Sequence, residues 1–586
     1  MNPENRNLIL AITLSMAVLF GWQVFFVGPE LEREAARQQV IAEQIAAADA
    51  ESRSTLADSA GGTAAMPAAG GDDATTAVAV PRITIDAPQI AGSISLAGLR
   101  IDDVVLRDYQ ETQAEDSPKI QLLQRTDAKL PFFAEFRWTL NGTGVALPDA
   151  STVWTADRDV LSPGAPVTFT WDNGQGLLFS RQMAIDENYL FTIIDAVRND
   201  TGATLAFNHY GRVRRHGTPT TSGIWILHEG PIGVFDEIVS YQNYDDLADT
   251  RTDKRKAEDL TFDGSQGGWI GFSDKYWLTA LIPDQQSPLN FKFSEVGAQD
   301  ALYQAGYINA QAQSVASGGT LETTTRLFAG AKKVTLLDSY GETYGLAKFD
   351  RAIDFGWFYF LTKPFFYAIN WLNGVLGNFG LAVIAFTVVV KLVFFPLANK
   401  SYRSMGKMRL LSPKIQQIRE RHADDRMAMN KEMMELYKKE QINPAAGCLP
   451  VLLQIPVFFA LYKVLFVTIE MRHAPFFGWI ADLSAPDPTS IFNLFGLLPY
   501  SVSFLPAFLQ LGVWPILMGI SMFLQMRLNP APPDPIQAKV FQFMPFFFTF
   551  LLATFPAGLV IYWTWNNLLS MAQQWFIMKR VARSET

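Results

Sequence analysis

One apolar stretch of this chain is long enough to cross a lipid bilayer, yet it contains a cation. It reads Gly380-Leu-Ala-Val-Ile-Ala-Phe-Thr-Val-Val-Val-Lys-Leu-Val-Phe-Phe-Pro-Leu-Ala398 and includes Lys391. An ammonium group near mid-membrane costs at least about 2.5–3.5 kcal/mol, so it usually faces a hydrated cavity, a partner or a substrate path. Snorkelling is the alternative, although Lys391 lies on the order of 10 Å from Ala398 at ~1.5 Å of rise per residue. The cost of the charge favours a polar cavity.

Composition indicates a membrane protein with a large extramembrane domain. The 586 residues are 49% hydrophobic, and the apolar residues concentrate at the N-terminus and beyond Phe355, whereas the middle resembles an ordinary soluble domain. A formal net charge of -9 argues against nucleic acid as the main partner. Cys448 has no second cysteine to pair with, which excludes a disulfide framework and argues against redox chemistry.

The N-terminal region predicts an anchor followed by a tether. Leu8 to Val27 is apolar, follows Arg6 and lacks a small-x-small cleavage site before Glu30, which favours a retained signal anchor over a cleaved signal peptide. Ser52 to Ala79 contains almost no large apolar residue and predicts a flexible linker.

Short β-rich runs separated by turn residues begin at Pro81 and predict a large β-sandwich that ends near Phe328. A connecting helix is predicted over Lys332 to Lys348. The runs include Ile83–Ile85, Val104–Leu106, Phe132–Trp138, Val167–Trp171 and Tyr189–Ile194.

The C-terminal part predicts an α-helical polytopic membrane protein. Trp357 to Leu376 is interrupted by polar residues and predicts an amphipathic interfacial helix. Spans are expected over Phe379–Ala398, Cys448–Thr468, Val513–Leu528 and Met544–Met578. The last is about twice the ~20 residues of one crossing, so the turn at Phe555-Pro-Ala-Gly558 divides it. With Leu8–Val27 this makes six spans.

Charge placement orients these spans. The segment from Asn399 to Ala446 is rich in Lys and Arg, whereas Glu470 to Pro506 carries only Arg472, so the first is expected inside and the second outside. Both termini are then cytoplasmic and the β domain is external.

The predicted divisions are 1–28 signal anchor, 29–80 linker, 81–330 β-sandwich, 331–377 connecting and interfacial helices, 378–398 span 2, 399–446 cytoplasmic hairpin, 447–468 span 3, 469–510 external loop, 511–528 span 4, 529–541 cytoplasmic loop, 542–555 span 5, 556–578 span 6 and 579–586 tail.

Three polar residues on neighbouring spans are candidates for a hydrated groove. Thr387 and Lys391 are four residues apart and share one helix face, and Gln454 lies in the next span. Alternatively, Thr387 bonds its own backbone and Gln454 joins helices. The residues alone leave both interpretations open.

The segment Ser401–Gln441 predicts an αα-hairpin turning around His422-Ala-Asp-Asp425. Its methionines form either an adaptable partner surface or the contact between the arms. The basic excess, including Lys407 and Arg409, either meets phosphates or sets orientation only. The apolar positions are Met405, Met408, Ile415 and Ile418 on one arm and Met427, Met434, Leu436 and Tyr437 on the other.

Large, soft side chains on three spans are candidates for a surface along which an incoming helix slides, with ordinary helix packing as the alternative. They are Phe458, Leu461, Met518, Met522, Tyr562 and Trp563.

Enzyme signatures are weak. His209, His216 and His228 lack metal-ligand spacing, and neither a nucleophile elbow nor a phosphate-binding glycine loop is present. The sequence therefore predicts a non-enzyme without cofactor, metal or small-molecule substrate.

Several motifs, in matching order and spacing, resemble the YidC family of membrane protein insertases of the Gram-negative type. They are Gly268–Trp277, Phe395-Pro-Leu397, Ser404–Arg409, Pro413-Lys-Ile415, Glu432–Lys438, Asn443–Pro450, Gln454-Ile-Pro456 and Phe555–Leu559. The likeness covers essentially the whole chain from Leu8 onward.

This resemblance implies a bacterial inner-membrane insertase and chaperone with a periplasmic domain and a five-helix core. A hydrophilic groove open to cytoplasm and lipid would hold Lys391, where many relatives carry Arg, with Thr387 and Gln454 as other groove-lining positions. The six soft residues named above match the family's substrate-contact region. Implied partners are nascent membrane proteins, the Sec translocon, lipids, and a ribosome or targeting factors at the hairpin. A transporter, or a scaffold whose β domain binds exported polypeptide, are the rival functions.

Overall fold

The structure is a computed structural model that describes residues 80–584. Gaps fall at 141–143, 223–226, 250–253, 297–300, 423–424, 441–448, 499, 501, 503–504, 507–508 and 530–534. The predicted anchor at Leu8–Val27, the predicted linker and Cys448 lie outside the described residues.

Residues 82–331 form a β domain, as predicted. Its strands are β1 (Arg82–Asp86), β2 (Ile90–Ser95), β3 (Ile101–Gln110), β4 (Lys119–Leu123), β5 (Phe132–Leu140), β6 (Thr155–Ala156), β7 (Val160–Leu161), β8 (Val167–Asp172), β9 (Leu177–Ile185), β10 (Leu190–Asn199), β11 (Leu205–His216), β12 (Gly230–Phe235), β13 (Ile238–Tyr241), β14 (Thr261–Gln266), β15 (Trp269–Ser273), β16 (Trp277–Ile282), β17 (Pro288–Glu295), β18 (Leu302–Asn309), β19 (Gln313–Val315) and β20 (Gly319–Ala331).

The strands form two sheets that pack on a shared apolar core. One follows the order β14-β17-β18-β11-β5-β3-β2-β1-β7, with β4 beside β3 and β19 beside β11; the other follows β13-β12-β15-β16-β20-β10-β9-β8-β6. Strand β9 shows the sequence logic, because every second residue from Leu177 to Ile185 is buried. Strand β20 runs to Ala331, past the end predicted at Phe328, because Trp277 to Ile282 of β16 pairs along that whole stretch.

A buried ion pair between neighbouring strands of one sheet, Arg181 with Asp195, contacts His209 of the other sheet. Arg181 donates from Nε to Asp195 Oδ1 at 2.6 Å, and His209 Nε2 lies 3.0 Å from Asp195 Oδ2. His209 is thus engaged by a structural carboxylate. Burial raises the pKa of Asp195, but the Arg181 guanidinium and the His209 contact outweigh it, so the net pKa lies below its usual range.

The described helices follow this order: α1 (Tyr244–Asp249), α2 (Lys254–Asp259), α3 (Val334–Tyr344), α4 (Tyr359–Leu376), α5 (Phe379–Val393), α6 (Phe395–Leu410), α7 (Ser412–Arg421), α8 (Arg426–Lys439), α9 (Leu449–Val467), α10 (Val513–Leu528), α11 (Pro535–Leu552) and α12 (Ala557–Ser584). By length and hydropathy alone, none of the described helices crosses a membrane unaided, whereas the bent pair α5 and α6 passes that test. The apolar stretches Gln454–Val467, Val513–Leu528 and Ala538–Leu552 are shorter.

The stretch predicted as one span from Phe379 to Ala398 bends by 68° between α5 and α6. Pro396 lies in the first turn of α6, where its ring and its missing N–H prevent the preceding helix from continuing straight. The first helix of the predicted span therefore ends at Val393, and the remainder of the span, up to Ala398, lies in α6.

The first predicted hairpin arm is two helices, because α6 ends at Leu410 and α7 begins at Ser412. The arms meet through Leu411, Ile415 and Ile418 against Met433 and Tyr437, with Met408 and Leu436 alongside. Three methionines depart from the predicted contact. Met427 and Met434 are exposed, and Met405 packs with Tyr402 and Ile577 of α12 instead.

The turn predicted at Phe555-Pro-Ala-Gly558 falls in the break between α11 and α12. The flanking helices are longer than expected. Helix α11 already begins at Pro535, inside the loop predicted over 529–541, and α12 continues past Met578 to Ser584.

Candidate functional site

A cavity of about 100 Å³ lies among α5, α6, α9, α10 and α12. It has room for several water molecules. Its polar lining residues are Lys391, Tyr402, Gln454, Gln525, Asn529, Tyr562, Asn566, Ser570, Gln573 and Gln574; its apolar ones are Val390, Phe394, Leu397, Ala398, Met405 and Val457.

Lys391 provides the positive charge of this cavity. Its Nζ donates to Ser570 Oγ at 2.7 Å, and that hydroxyl donates to Asn566 O at 2.7 Å. The described lining contains no Asp or Glu. The ammonium is therefore held by a neutral hydroxyl and remains available to a carboxylate brought from outside.

Of the other predicted groove residues, Gln454 lines the cavity and Thr387 does not. Thr387 is buried and its hydroxyl donates to Val383 O at 2.7 Å, one helical turn earlier. For Thr387 the structure therefore agrees with the alternative in which the side chain satisfies its own helix backbone.

Sequence reasoning missed the polar stripe of α12. Asn566, Ser570, Gln573 and Gln574 follow the three-and-four spacing of one helix face and all line the cavity. Gln574 Nε2 donates to Leu528 O at 3.2 Å, which ties α12 to the end of α10. Gln573 Oε1 is buried and accepts no hydrogen bond from any described residue, so water or a polar ligand can satisfy it. The three-and-four spacing of these polar residues is the sequence signal that could have identified the stripe.

The soft apolar residues lie mainly inside the helical bundle. Leu461, Met518 and Tyr562 are almost fully buried, and Met522 packs in the same cluster as Met518. Phe458 and Trp563 are partly exposed, with ring centroids 4.7 Å apart. Of the six, Tyr562 lines the cavity.

Apolar side chains pack at the end of the bundle nearest the β domain. There an apolar cluster of Ala474, Ile480 and Leu483 packs against Ala557 and Ile561 at the start of α12. Toward the opposite end, the lining includes Tyr402 and Met405 of α6 and Asn529 after α10. The cavity lining therefore lies nearer the hairpin end of the helices than the β-domain end.

Direct contacts identify which ends of the helices lie nearest the β domain. Arg472, which follows α9, donates to Gln110 O at 2.6 Å, and Gln113 donates to Ala481 O at 2.8 Å. Within α9 itself, Lys463 pairs with Asp354 at 2.8 Å. The C-terminal end of α9 and the loop after it therefore lie at the β-domain end.

Glu470 is a buried acid at this junction. Its Oε1 accepts the Val334 N–H at 3.0 Å, whereas its Oε2 is buried without a hydrogen-bond partner among the described residues. Burial raises the pKa of this carboxyl to about 7, although the Glu470 and Val334 backbone N–H groups and the charge of Lys333 oppose the rise. The carboxyl is therefore more easily accommodated when protonated.

The junction should lose stability as the pH rises. A folded pKa near 7, above the ordinary 4.5, means that the folded state binds more protons than the unfolded state between these values, so stability falls across that window and levels off above it. We expect the thermal midpoint of the wild-type chain to decrease, relative to that of Glu470→Gln, as the pH rises from 5 to 7. A constant difference between the two proteins across this range would contradict the prediction.

The β domain and the helical C-terminal part of the chain both match known protein families. The family model described as "60Kd inner membrane protein" matches residues 371–584, and the one described as "YidC periplasmic domain" matches residues 82–368. A protein of Beijerinckia indica named membrane protein insertase YidC is 49% identical over 99% of this chain and 96% of its own length. One of Granulibacter bethesdensis with the same name is 49% identical over 98% of each chain.

Solved structures give weaker likenesses. A crystal structure of an active YidC insertase aligns with 84% of this chain and 94% of its own at 16% identity and a TM-score of 0.35. A galactose mutarotase related enzyme from Lactobacillus acidophilus aligns with 42% of this chain and 97% of its own at 12% identity and a TM-score of 0.30. At these TM-scores neither likeness bears on activity.

Proposed function

Because the chain belongs to the YidC family of membrane protein insertases, we propose that the cavity around Lys391 receives the polar flank of a nascent membrane protein during insertion. Carrying an unsatisfied polar group into hydrocarbon costs several kcal/mol. A lining of hydroxyl, amide and ammonium groups replaces the water that the flank loses. The barrier falls without nucleotide hydrolysis, and the apolar part of the client partitions into lipid.

The observation that carries this proposal is a cation without a carboxylate in its polar surroundings. Lys391 contacts Ser570, and the described cavity lining offers it no acid. An acidic client flank would supply the missing charge, and a charge-assisted hydrogen bond is stronger than a neutral one. Onward movement of a negative flank would be helped by the membrane potential, at ~2.3 kcal/mol per charge per 100 mV.

We propose six spans in the bacterial inner membrane, with both termini cytoplasmic and the β domain periplasmic. The contacts of Arg472 and Gln113 support this topology, because they join the loop after α9 to the β domain. The basic segment Lys400–Lys439 follows the opposite end of α5, which agrees with the preference of positive charge for the cytoplasm.

We propose that the client's apolar helix approaches at Phe458 and Trp563, the partly exposed members of the soft set. Leu461, Met518, Met522 and Tyr562 support that surface from within the bundle. At the hairpin, the exposed Met427 and Met434 with Lys407 and Arg409 are the proposed contacts for a ribosome or targeting factor. Cooperation with the Sec translocon is part of the same proposal.

Insertion into vesicles tests the function directly. Proteoliposomes containing only this protein should insert a short single-span client whose translocated flank carries one or two acidic residues. They should insert it faster than the same client with Asn or Gln in those positions, and a Lys flank should be slowest. Protein-free vesicles provide the control for spontaneous insertion. Rates equal to theirs for every client would refute autonomous insertion, and equal rates for all flanks would refute recognition by charge.

A further inference from the structure

The loop between α9 and α10 carries a dense group of exposed apolar side chains. In its described part, Phe492, Leu494, Phe495, Leu497, Leu498 and Tyr500 are all exposed, and Leu497 reaches 83%. Soluble proteins rarely expose contiguous apolar surface on this scale without a function for it. We call residues 491–498 together with Tyr500 the outer loop.

The base of the outer loop is fixed at the start of α10. The Ile491 N–H donates to Leu511 O at 2.9 Å, and Asp487 Oδ2 accepts the Trp514 N–H at 2.9 Å. Nearby, Leu483 O accepts the Gly558 N–H at 2.9 Å, and Ala481 O accepts from Gln113 of the β domain. The loop is therefore tethered at the β-domain end of the helices, where the proposed spans leave the membrane.

Charge and backbone bonding identify the medium that this loop meets. No Asp, Glu, Lys or Arg occurs from Pro488 to Met526, whereas protein interfaces usually have a polar, charged rim. Irregular backbone is excluded from the hydrocarbon core, so such a loop can enter only the boundary between headgroups and acyl chains, where internal hydrogen bonds lower the cost of burying its polar groups. Here the N–H groups of Phe492, Phe495, Gly496 and Leu498 donate to Ser490 or Asn493, and the Tyr500 hydroxyl donates to Phe492 O.

The turn of the outer loop has an unusual backbone conformation. Leu494 and Phe495 have φ of 51° and 59°, a left-handed conformation that bulky residues rarely adopt. Such local strain clusters at functional positions. Beyond the loop, Leu517, Ile520 and Leu524 are exposed on one face of α10, so this helix also presents an apolar face.

We propose that the outer loop inserts into the leaflet on the β-domain side as a lipid-embedded wedge. It meets the boundary between the headgroups and the acyl chains, because the loop is tethered at a span end and an interfacial element reaches only ~5–10 Å into that boundary. This inference goes beyond client insertion and rests only on the proposed membrane topology.

Site-directed fluorescence tests the wedge in the full-length chain. In a Cys448→Ser background, Leu497→Cys and, separately, Leu494→Cys carry an environment-sensitive fluorophore in phosphatidylethanolamine–phosphatidylglycerol vesicles. The control is Ile238→Cys, an exposed apolar position of the β domain. We expect blue-shifted emission at both loop positions and strong quenching by nitroxide lipids, more by labels near the headgroup than by labels near the chain terminus. A water-soluble quencher should affect only the control.

Each other outcome overturns the wedge. Aqueous quenching equal to that of the Ile238 label would show a solvated loop. Protection from both quenchers would show that protein, such as a client or a second copy of the chain, covers it. Client insertion is measured in the same vesicles, so failure of the wedge is distinguished from failure of the proposed function.

Discussion

Replacing Lys391 by alanine is expected to slow insertion of clients with acidic flanks by about tenfold or more, because a hydrogen bond to a charged group contributes roughly 1.5–3 kcal/mol. The loss arises in the cavity, where Ser570 is the described partner of the ammonium and no lining carboxylate supplies a substitute interaction. Clients with neutral flanks should lose much less. The measurement is the insertion rate into proteoliposomes, with protein-free vesicles subtracted.

Lys391→Arg should retain most of the activity, since the charge is kept and the cavity is wide enough for several water molecules. The matched control is Lys400→Ala, which removes an exposed lysine of α6 outside the cavity lining and changes the net charge equally. If Lys391→Ala and Lys400→Ala insert acidic clients at the same rate as wild type, Lys391 is a snorkelling residue and the electrostatic role is wrong.

Much of the architecture was accessible from local pattern. Short β-rich runs bounded by turn residues predicted the stretches that became β1, β3, β5, β8 and β10. The breaks also carried local signals. Pro396 and the Phe555-Pro-Ala-Gly558 turn both lie where helices end, although the proline alone did not reveal a 68° bend inside an otherwise apolar run.

The site was only partly accessible, because hydropathy does not distinguish a side chain facing lipid from one facing another helix. Leu461 and Met518 read as surface candidates and are buried. In the hairpin the predicted contact residue is wrong by one position. Met433 packs against the other arm, whereas the predicted Met434, about 100° further round the helix, is exposed.

Long-range pairing was the least accessible part of the fold. Glu135 and Arg212 are 77 positions apart in the sequence and directly opposite each other in β5 and β11. Nothing local in either strand specifies that register. The Lys391–Ser570 contact, between α5 and α12, is hidden for the same reason, although the polar stripe of α12 could have been found by its spacing.

The largest stability effect is expected from Glu135→Gln in the β domain. The Glu135 carboxylate is fully buried, and four guanidinium groups converge on it. Arg212 donates to Oε1 through a very short contact, Arg137 lies 2.6 Å from Oε2, Arg100 lies 3.5 Å from Oε2 and Arg214 lies 3.9 Å from Oε1. Removing one member of a buried ion pair typically costs 3–5 kcal/mol, roughly, because the partners remain charged and desolvated.

The same carboxylate should determine part of the acid sensitivity of the domain. Burial alone would raise the pKa of Glu135, but the guanidinium groups of Arg212, Arg137, Arg100 and Arg214 lower it to about 2. A folded pKa below the ordinary 4.5 gives stability that is fully present above that value and is lost as the pH falls toward 2. Glu135→Gln should remove this dependence together with the stabilisation.

Urea titration with pulse proteolysis of the full-length chain measures the loss of stability and its pH dependence. The readout is the fraction of intact β domain. The matched control is Asp127→Asn, which breaks the exposed pair of Arg125 and Asp127 at 3.0 Å and should change stability by less than about 1 kcal/mol. At pH 7 we expect a much lower unfolding midpoint for Glu135→Gln than for Asp127→Asn, and the gap from wild type should narrow as the pH falls below 4.5. Equal unfolding midpoints for the two variants would contradict this prediction. They would mean that another group in the chain, and not Glu135, compensates the charge of the buried arginines.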